Sequence, residues 1–311
     1  MRKLLYILLL ALLPMWGCYD DSLRKPDGRE SIGVPIVLST ASITTPVGDP
    51  DNMPAEYSIV NLSIFFADAG STTINSVFVH PTFSSIDFST IGNTKLVNLP
   101  LTPGALTNQD IYVVANCSDV AAMNAVQTVA DIKALQTPAA TTATGLTTTA
   151  GLPMYGTLPN ADLNTSTVSA PLNVLLTRAC AKIRVTVTFT GPTWVGTNNR
   201  VQLQNAAPYT FYVPGNIPAL ATSALINYPI TNLTAQSAQQ FSGIVYVYES
   251  ATAPQLQIYT TVSGTTYNYT ASANFPVPVR NYLYDIEIQI LPPTRSGLCE
   301  EAEVSVRVKE W

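Results

Sequence analysis

PLNVLLTRACAKIRVTVTF, residues 171–189, is the stretch whose reading decides the fold. From Ala179 onward it alternates strictly. Ala179, Ala181, Ile183, Val185, Val187 and Phe189 face one way, and Cys180, Lys182, Arg184, Thr186 and Thr188 face the other. A period of two with apolar and polar residues on opposite sides predicts a strand with one face in a core and one in water. The residues ahead of it are rich in Thr, Ala, Pro and Gly, so the strand reads as the opening of a second domain.

Working outward, the same signature recurs. On the C-terminal side, strands are expected at Asn199–Gln204, Pro208–Val213, Phe241–Tyr248, Gln255–Val262, Thr265–Ala273, Tyr282–Leu291 and Glu303–Lys309. Ser263-Gly264 joins two of them as a hairpin turn. On the N-terminal side, Gly33–Leu38 begins an apolar strand that runs on towards Ile43, and Thr44–Ala55 is turn chemistry with four prolines and glycines. Further strands are expected at Tyr57–Ala67, Ile74–Val79, Lys95–Leu99 and Asp110–Cys117. Met123, Val126, Val129, Ile132 and Leu135 recur at near-helical spacing, and Thr128-x-x-Asp131 has the form of a capping box. Thr137–Thr149 reads as a loop. The expected fold is all-β with a small helical insertion: two β-sandwich domains in tandem, residues 32–169 and 170–311.

Composition narrows the function. Of 311 residues, 47% are hydrophobic and only 11% are charged, with a net charge of −5. The apolar fraction is spread along the chain, which excludes disorder. The acidic balance and the lack of a basic cluster beyond the first residues exclude nucleic-acid binding.

No arrangement for catalysis emerges. The single histidine, His80, has no second histidine to complete a zinc site and is read as strand-end surface. No Gly-x-Ser-x-Gly elbow or phosphate loop occurs. The paired carboxylates Asp20-Asp21 and Glu300-Glu301 are sequence neighbours, whose side chains point apart on extended chain. No enzyme activity, metal or cofactor is expected. Two readings of the cysteines remain open: Cys180 and Cys299 could bridge, or Cys117, Cys180 and Cys299 are all thiols. Tyr246, Tyr248, Tyr259, Tyr267 and Tyr269 are taken as half-buried strand residues; the alternative is a sugar-stacking surface.

The amino terminus reads as a processing signal. Arg2 and Lys3 precede the apolar run Leu4–Leu13, which is too short to cross a bilayer, and Gly17-Cys18 follows. This series resembles a lipoprotein signal, which implies removal of residues 1–17, cleavage between Gly17 and Cys18 and lipid on Cys18. Residues 18–31 are polar and read as a tether.

Several stretches together resemble the fimbrillin family, two-domain lipoprotein subunits of type V pili. They are the strand ending Phe66-x-Asp68-x-Gly70, the "VAN" at Val114-Ala115-Asn116, Pro153-Met154-x-Gly156, Arg178-x-x-Ala181-Lys182-Ile183, Tyr246-Val247-Tyr248-Glu249-Ser250, and Arg280-Asn281-x-x-Tyr284-x-Ile286-x-Ile288-x-Ile290. The resemblance implies transthyretin-like β-sandwiches. It also implies a surface-anchored, non-enzymatic pilus subunit that assembles by donor-strand complementation and serves adhesion at the outer membrane and fimbrium. The implied partners are other pilus subunits, the membrane through lipid, and a host or bacterial surface glycan or protein.

On that model Val34, Ile36 and Leu38 belong to the first strand, Val304, Val306 and Val308 to a donor strand, and Arg29 is the candidate protease site. Shaft subunits of the family are cut after a basic residue beyond the first strand. Here no Arg or Lys occurs between Arg29 and Lys95, so such a cut would leave that strand in place. The alternative function is a non-polymerising, glycan-binding outer-membrane lipoprotein.

Overall fold

The structure, a computed structural model, describes residues 32–40, 54–80, 94–101, 107–167, 169–190, 195–271, 275–291 and 302–310. In chain order the strands of the first half are β1 Ile32–Thr40, β2 Leu62–Asp68, β3 Ser76–His80, β4 Thr94–Leu101, β5 Gln109–Ala115, β6 Met154–Ala161 and β7 Leu172–Arg178. Those of the second half are β8 Cys180–Phe189, β9 Thr197–Gln204, β10 Thr231–Asn232, β11 Thr234–Ala235, β12 Gln240–Tyr248, β13 Gln255–Val262, β14 Thr265–Ala271, β15 Tyr282–Ile290 and β16 Ala302–Glu310. Two short helices, α1 Val120–Ala125 and α2 Val129–Ala134, follow β5. The chain is therefore all-β with a small helical insertion.

The first seven strands form one sheet in the order β3-β2-β5-β6-β7-β1-β4. Its two wings meet at β6 and β7, joined at Met154↔Arg178 and Tyr155↔Thr177 and by the Ala179 N–H donating to the Pro153 carbonyl at 2.8 Å. Ile36, Leu38, Val174 and Leu176 from one wing share a buried core with Leu62, Ile64, Ile111 and Val113 from the other. Gly156 lies at this meeting point. A Cβ there would stand 2.5 Å from the Leu175 carbonyl oxygen and 2.9 Å from Val174 and Leu176 side-chain carbons. Backbone cannot swing aside as a side-chain tip can. Gly156→Ala should therefore cost about 1–3 kcal/mol, read as a lower urea midpoint with an unchanged slope.

β2 is buried on both faces. Its other side, with Phe65, packs with Val114 and Tyr155 beneath Met123, Val126 and Ile132 of the helical insertion. The Thr128–Asp131 capping box is formed. Asp131 N–H donates to Thr128 Oγ1 at 3.1 Å, and Thr128 N–H donates to Asp131 Oδ2 at 2.8 Å.

The second half supplies a four-stranded sheet, β10-β9-β13-β14, and a five-stranded sheet, β11-β12-β8-β15-β16. Val201, Leu203, Leu256 and Ile258 of the former are buried in one core with Val185, Val187, Ile286 and Ile288 of the latter. The hairpin at Ser263-Gly264 has both residues at positive φ, +50° and +83°, the backbone that a tight two-residue turn demands.

Four expectations are corrected. Residues 171–189 are two strands in two sheets. β7 belongs to the seven-stranded sheet and β8 to the five-stranded one, and the chain passes from one sheet to the other at Ala179. Cys180 and Lys182 do not face water: both are fully buried, because the first half of the molecule covers that end of β8. Residues 208–213 are not a strand. Their backbone pairs with Leu135, Thr137 and Ala140, with Tyr212 N–H donating to the Leu135 carbonyl at 3.0 Å and Thr137 N–H to the Thr210 carbonyl at 2.9 Å. Lastly, the strand expected from Tyr57 begins at Leu62, after a single 3-10 turn at Pro54–Tyr57.

Candidate functional site: the first strand, the last strand and the junction

β1 is an interior strand. It pairs antiparallel with β4 on one side and parallel with β7 on the other, so both backbone edges are used. Ile36 sits opposite Val97 and Leu172, and Leu38 opposite Lys95 and Val174; both side chains are buried. Val34 lies in the same strand, opposite Leu99. Towards the other end of the chain, β16 is the outermost strand of its sheet and, among the described residues, pairs only with β15. Val304, Val306 and Val308 stand opposite Ile288, Ile286 and Tyr284. Val306 packs partly on the core, whereas Val308 is half exposed. Gly17, Cys18, Arg29 and Cys299 lie outside the described residues.

Between the two halves sits a buried polar cluster centred on Glu56, in the 3-10 turn ahead of β2. Its carboxylate accepts from Lys182 Nζ at 2.7 Å and from the Tyr246 hydroxyl at 2.6 Å. Arg178, at the end of β7, donates from Nε to the Glu56 carbonyl at 3.2 Å and from a terminal nitrogen to Asn281 Oδ1 at 3.4 Å. Its guanidinium lies 4.7 Å from the Tyr57 ring centre, a cation–π geometry. Glu56, Arg178 and Lys182 have no exposed surface. Burial lowers the Arg178 pKa, and burial followed by the Glu56 contact raises that of Tyr246. Two cations and an anion taken from water together are tolerable only because each meets a partner of opposite charge or a polar acceptor.

A second cluster binds the ends of two strands. Glu249, just past β12, pairs with Arg280, just before β15, and also accepts from the Thr210 hydroxyl at 3.2 Å. Arg280 further donates to the carbonyls of Tyr212 at 2.6 Å and Phe211 at 2.7 Å. The 208–213 segment is thereby fixed between the halves. Tyr212 donates its hydroxyl to the Asn116 carbonyl at 3.0 Å, and Tyr248 to that of Pro138 at 2.6 Å. Asn116 is itself a clip. Its backbone is left-handed at φ +61°. Its amide oxygen accepts from Val60 N–H at 2.7 Å, and its amide nitrogen donates to the carbonyls of Ser58 at 2.8 Å and Leu152 at 2.7 Å.

Several residues of the quoted motifs thus lie at the junction. Asn116, Arg178, Lys182, Tyr246, Glu249, Arg280 and Asn281 come from distant parts of the sequence and meet there. None forms a catalytic constellation. Among the described residues no group of three or more His, Cys, Asp or Glu is placed to hold a metal. No helix among them is long and apolar enough to cross a membrane. His80 is the last residue of β3, opposite Leu62. Cys117 and Cys180 are buried free thiols, and burial pushes the Cys180 thiol up to about 12. Tyr246, Tyr248 and Tyr269 are buried, which removes them from any sugar-stacking surface; Tyr259 and Tyr267 are partly exposed.

No family model and no curated protein matches the sequence. Solved structures do match. The tip fimbrial protein Mfa3 from Porphyromonas gingivalis superposes with a TM-score of 0.57 at 18% identity, over 90% of this chain and all of that one. A putative cell adhesion protein from Bacteroides eggerthii gives 0.57 at 17% identity, over 90% and 97% of the two chains. The fold is fimbrillin-like. A fimbrial assembly protein from Parabacteroides distasonis extends the likeness, with a TM-score of 0.51 at 18% identity over 90% of this chain and all of that one. In this chain several residues of the short motifs are junction parts.

Glu56 is the functional residue that sequence reasoning missed. It lies in a turn-like stretch with no motif. The available signal was indirect: Arg178 and Lys182 flank the passage from one apolar strand to the next, and buried cations there require an acid from elsewhere.

Proposed function

We propose that the chain is a structural, non-enzymatic subunit of a fimbrillin-type pilus that serves adhesion. The single observation that supports this reading is the likeness to a tip fimbrial protein over nine-tenths of the chain and the whole of that structure. In this reading Cys18 is the lipidated first residue of the mature protein, residues 18–31 are the tether, and the outer membrane and fimbrium are the location. Two sandwich domains follow, with the passage between them at Ala179. Neighbouring subunits join by strand addition, in which an extended segment of one completes a sheet of another. β16 suits the donor role by its position at a sheet edge and its one-sided valines. β16 contains no proline, so its backbone N–H groups remain able to pair.

Immuno-electron microscopy of expressing cells tests both levels. Label should lie along filaments for the wild type. Val306→Asp should remove label from filaments while the purified variant keeps its far-ultraviolet circular dichroism. Label confined to the envelope in the wild type would favour a non-polymerising surface lipoprotein. Normal filaments in the variant would remove β16 from the donor role.

A further inference from the structure

The outer face of the four-stranded sheet carries two polar rows. Residues that point away from the core on β9, β13 and β14 form cross-strand rows: Arg200–Tyr259–Asn268 and, beside it, Gln202–Gln257–Thr270. These rows hold amides, two hydroxyls, one aromatic ring and one cation, and no carboxylate, in a chain whose net charge is negative. The Arg200 guanidinium carbon lies 5.8 Å from the Tyr259 ring centre. Arg200 makes no ion pair among the described residues, and its Nε is buried without a hydrogen-bond partner.

The neighbouring groups are held in place. The Tyr259 hydroxyl donates to Gln202 Oε1 at 3.1 Å, and Gln202 Nε2 donates to the Tyr228 carbonyl at 2.9 Å, so this amide is fixed at both ends. Gln257 donates to the Thr270 hydroxyl. The register of β9 on β13 shifts between Tyr259 and Thr261, and Asn198 there has φ +54°. Bulges of this kind re-aim side chains and recur beside binding sites. This one immediately precedes the Arg200–Tyr259 pair.

We infer that this face is a binding site for an acidic saccharide, a sugar bearing a carboxylate. A guanidinium fork matches a carboxylate bidentately and is the group of choice for it. The partly exposed Tyr259 ring offers an apolar edge to a pyranose, and Asn268 and Gln257 offer amide donors and acceptors to its hydroxyls. A neutral sugar would leave the Arg200 cation uncompensated, and an anion without hydroxyls would leave the amide rows unused. The inference rests on the surface-adhesion reading only for where such a sugar would be met; the binding itself is a property of the purified chain.

The test is calorimetric titration of the purified full chain with sialyllactose and with trigalacturonate, against lactose as the neutral probe. At least one acidic probe should bind, and lactose at least tenfold more weakly. Arg200→Gln should weaken the acidic probe tenfold or more, Arg200→Lys should recover only part of that loss, and Tyr259→Phe should weaken it a few-fold by freeing Gln202. Each variant should keep the wild-type melting temperature within about 2 °C, since surface substitutions away from the core are nearly neutral. The two acidic probes separate a sialic acid from a uronic acid as the source of the carboxylate. Equal binding of acidic and neutral probes, indifference to Arg200→Gln, or no binding by folded wild-type protein would each overturn the site. The filament labelling of the preceding section is independent of all three outcomes.

Discussion

Replacing Glu56 by alanine should destabilise the chain by about 3–5 kcal/mol, the usual cost of removing one partner from a buried ion pair. Lys182 would lose its counter-charge in a site with no exposed surface, and the Tyr246 hydroxyl would lose its acceptor at the same time. Urea unfolding at pH 7 reads the loss directly. Replacing the pair together, Glu56→Leu with Lys182→Met, should recover part of it, because two apolar side chains need no counter-charge while the Tyr246 hydroxyl still lacks its acceptor. A loss below about 1 kcal/mol in Glu56→Ala is the value of an exposed pair and would show that water reaches the junction. The signature of a hinge would be a second unfolding step in the single variant, in which the two halves melt separately once the junction is broken.

The second large effect belongs to β1. Ile36→Ala with Leu38→Ala should cost about 4–10 kcal/mol, since each buried aliphatic truncated to alanine costs about 2–5 kcal/mol. Both side chains are buried, and both backbone edges of the strand are hydrogen-bonded. That loss rivals the whole net stability of a typical domain, about 5–15 kcal/mol. The matching change on the last strand, Val306→Ala, should cost about 1 kcal/mol or less, because Val306 is only partly buried on an edge strand. Urea midpoints of the two variants give the comparison directly. A strand held this firmly does not leave by thermal opening. With no Arg or Lys between Arg29 and Lys95, a basic-residue protease has no cut that frees it. Amino-terminal sequencing of protein from the cell surface should therefore find a terminus at Cys18 or Glu30. A terminus between Thr45 and Tyr57 would show that another protease releases β1.

Much of this architecture was legible in the sequence where a residue's environment is set by its near neighbours. The alternation of Val185, Val187 and Phe189 gave their burial, Thr128 and Asp131 gave the capping box, and Ser263-Gly264 gave the hairpin. What could not be read depends on contacts between remote segments. Leu172–Arg178 carries no clean alternation, so nothing local says that β7 belongs with β1 and not with β8. Pro208–Val213 has strand-like residues, yet its hydrogen bonds go to the loop after α2. Cys180 and Lys182 occupy positions that look solvated until Glu56 and the first half of the molecule are placed over them. Of the candidate site residues, Ile36 and Leu38 had burial that pattern alone could suggest. The Arg200–Tyr259 pair could not be found without the strand register.

The parallel pairing of β1 with β7 also sets an order on how the molecule can be made. β1 is the first described strand to emerge during synthesis, and Ile36 must find Leu172. Until the chain has been extended through Arg178, one edge of β1 has nothing to bond, and the two wings of the seven-stranded sheet cannot be locked together. Contacts between such distant segments form slowly, because the loop between them must close before any pairing rewards it. A nascent chain interrupted before residue 172 would thus present an apolar strand with a vacant edge. A chain delivered unfolded across a membrane would face the same wait on the far side, where a chaperone that shields β1 would have its clearest task.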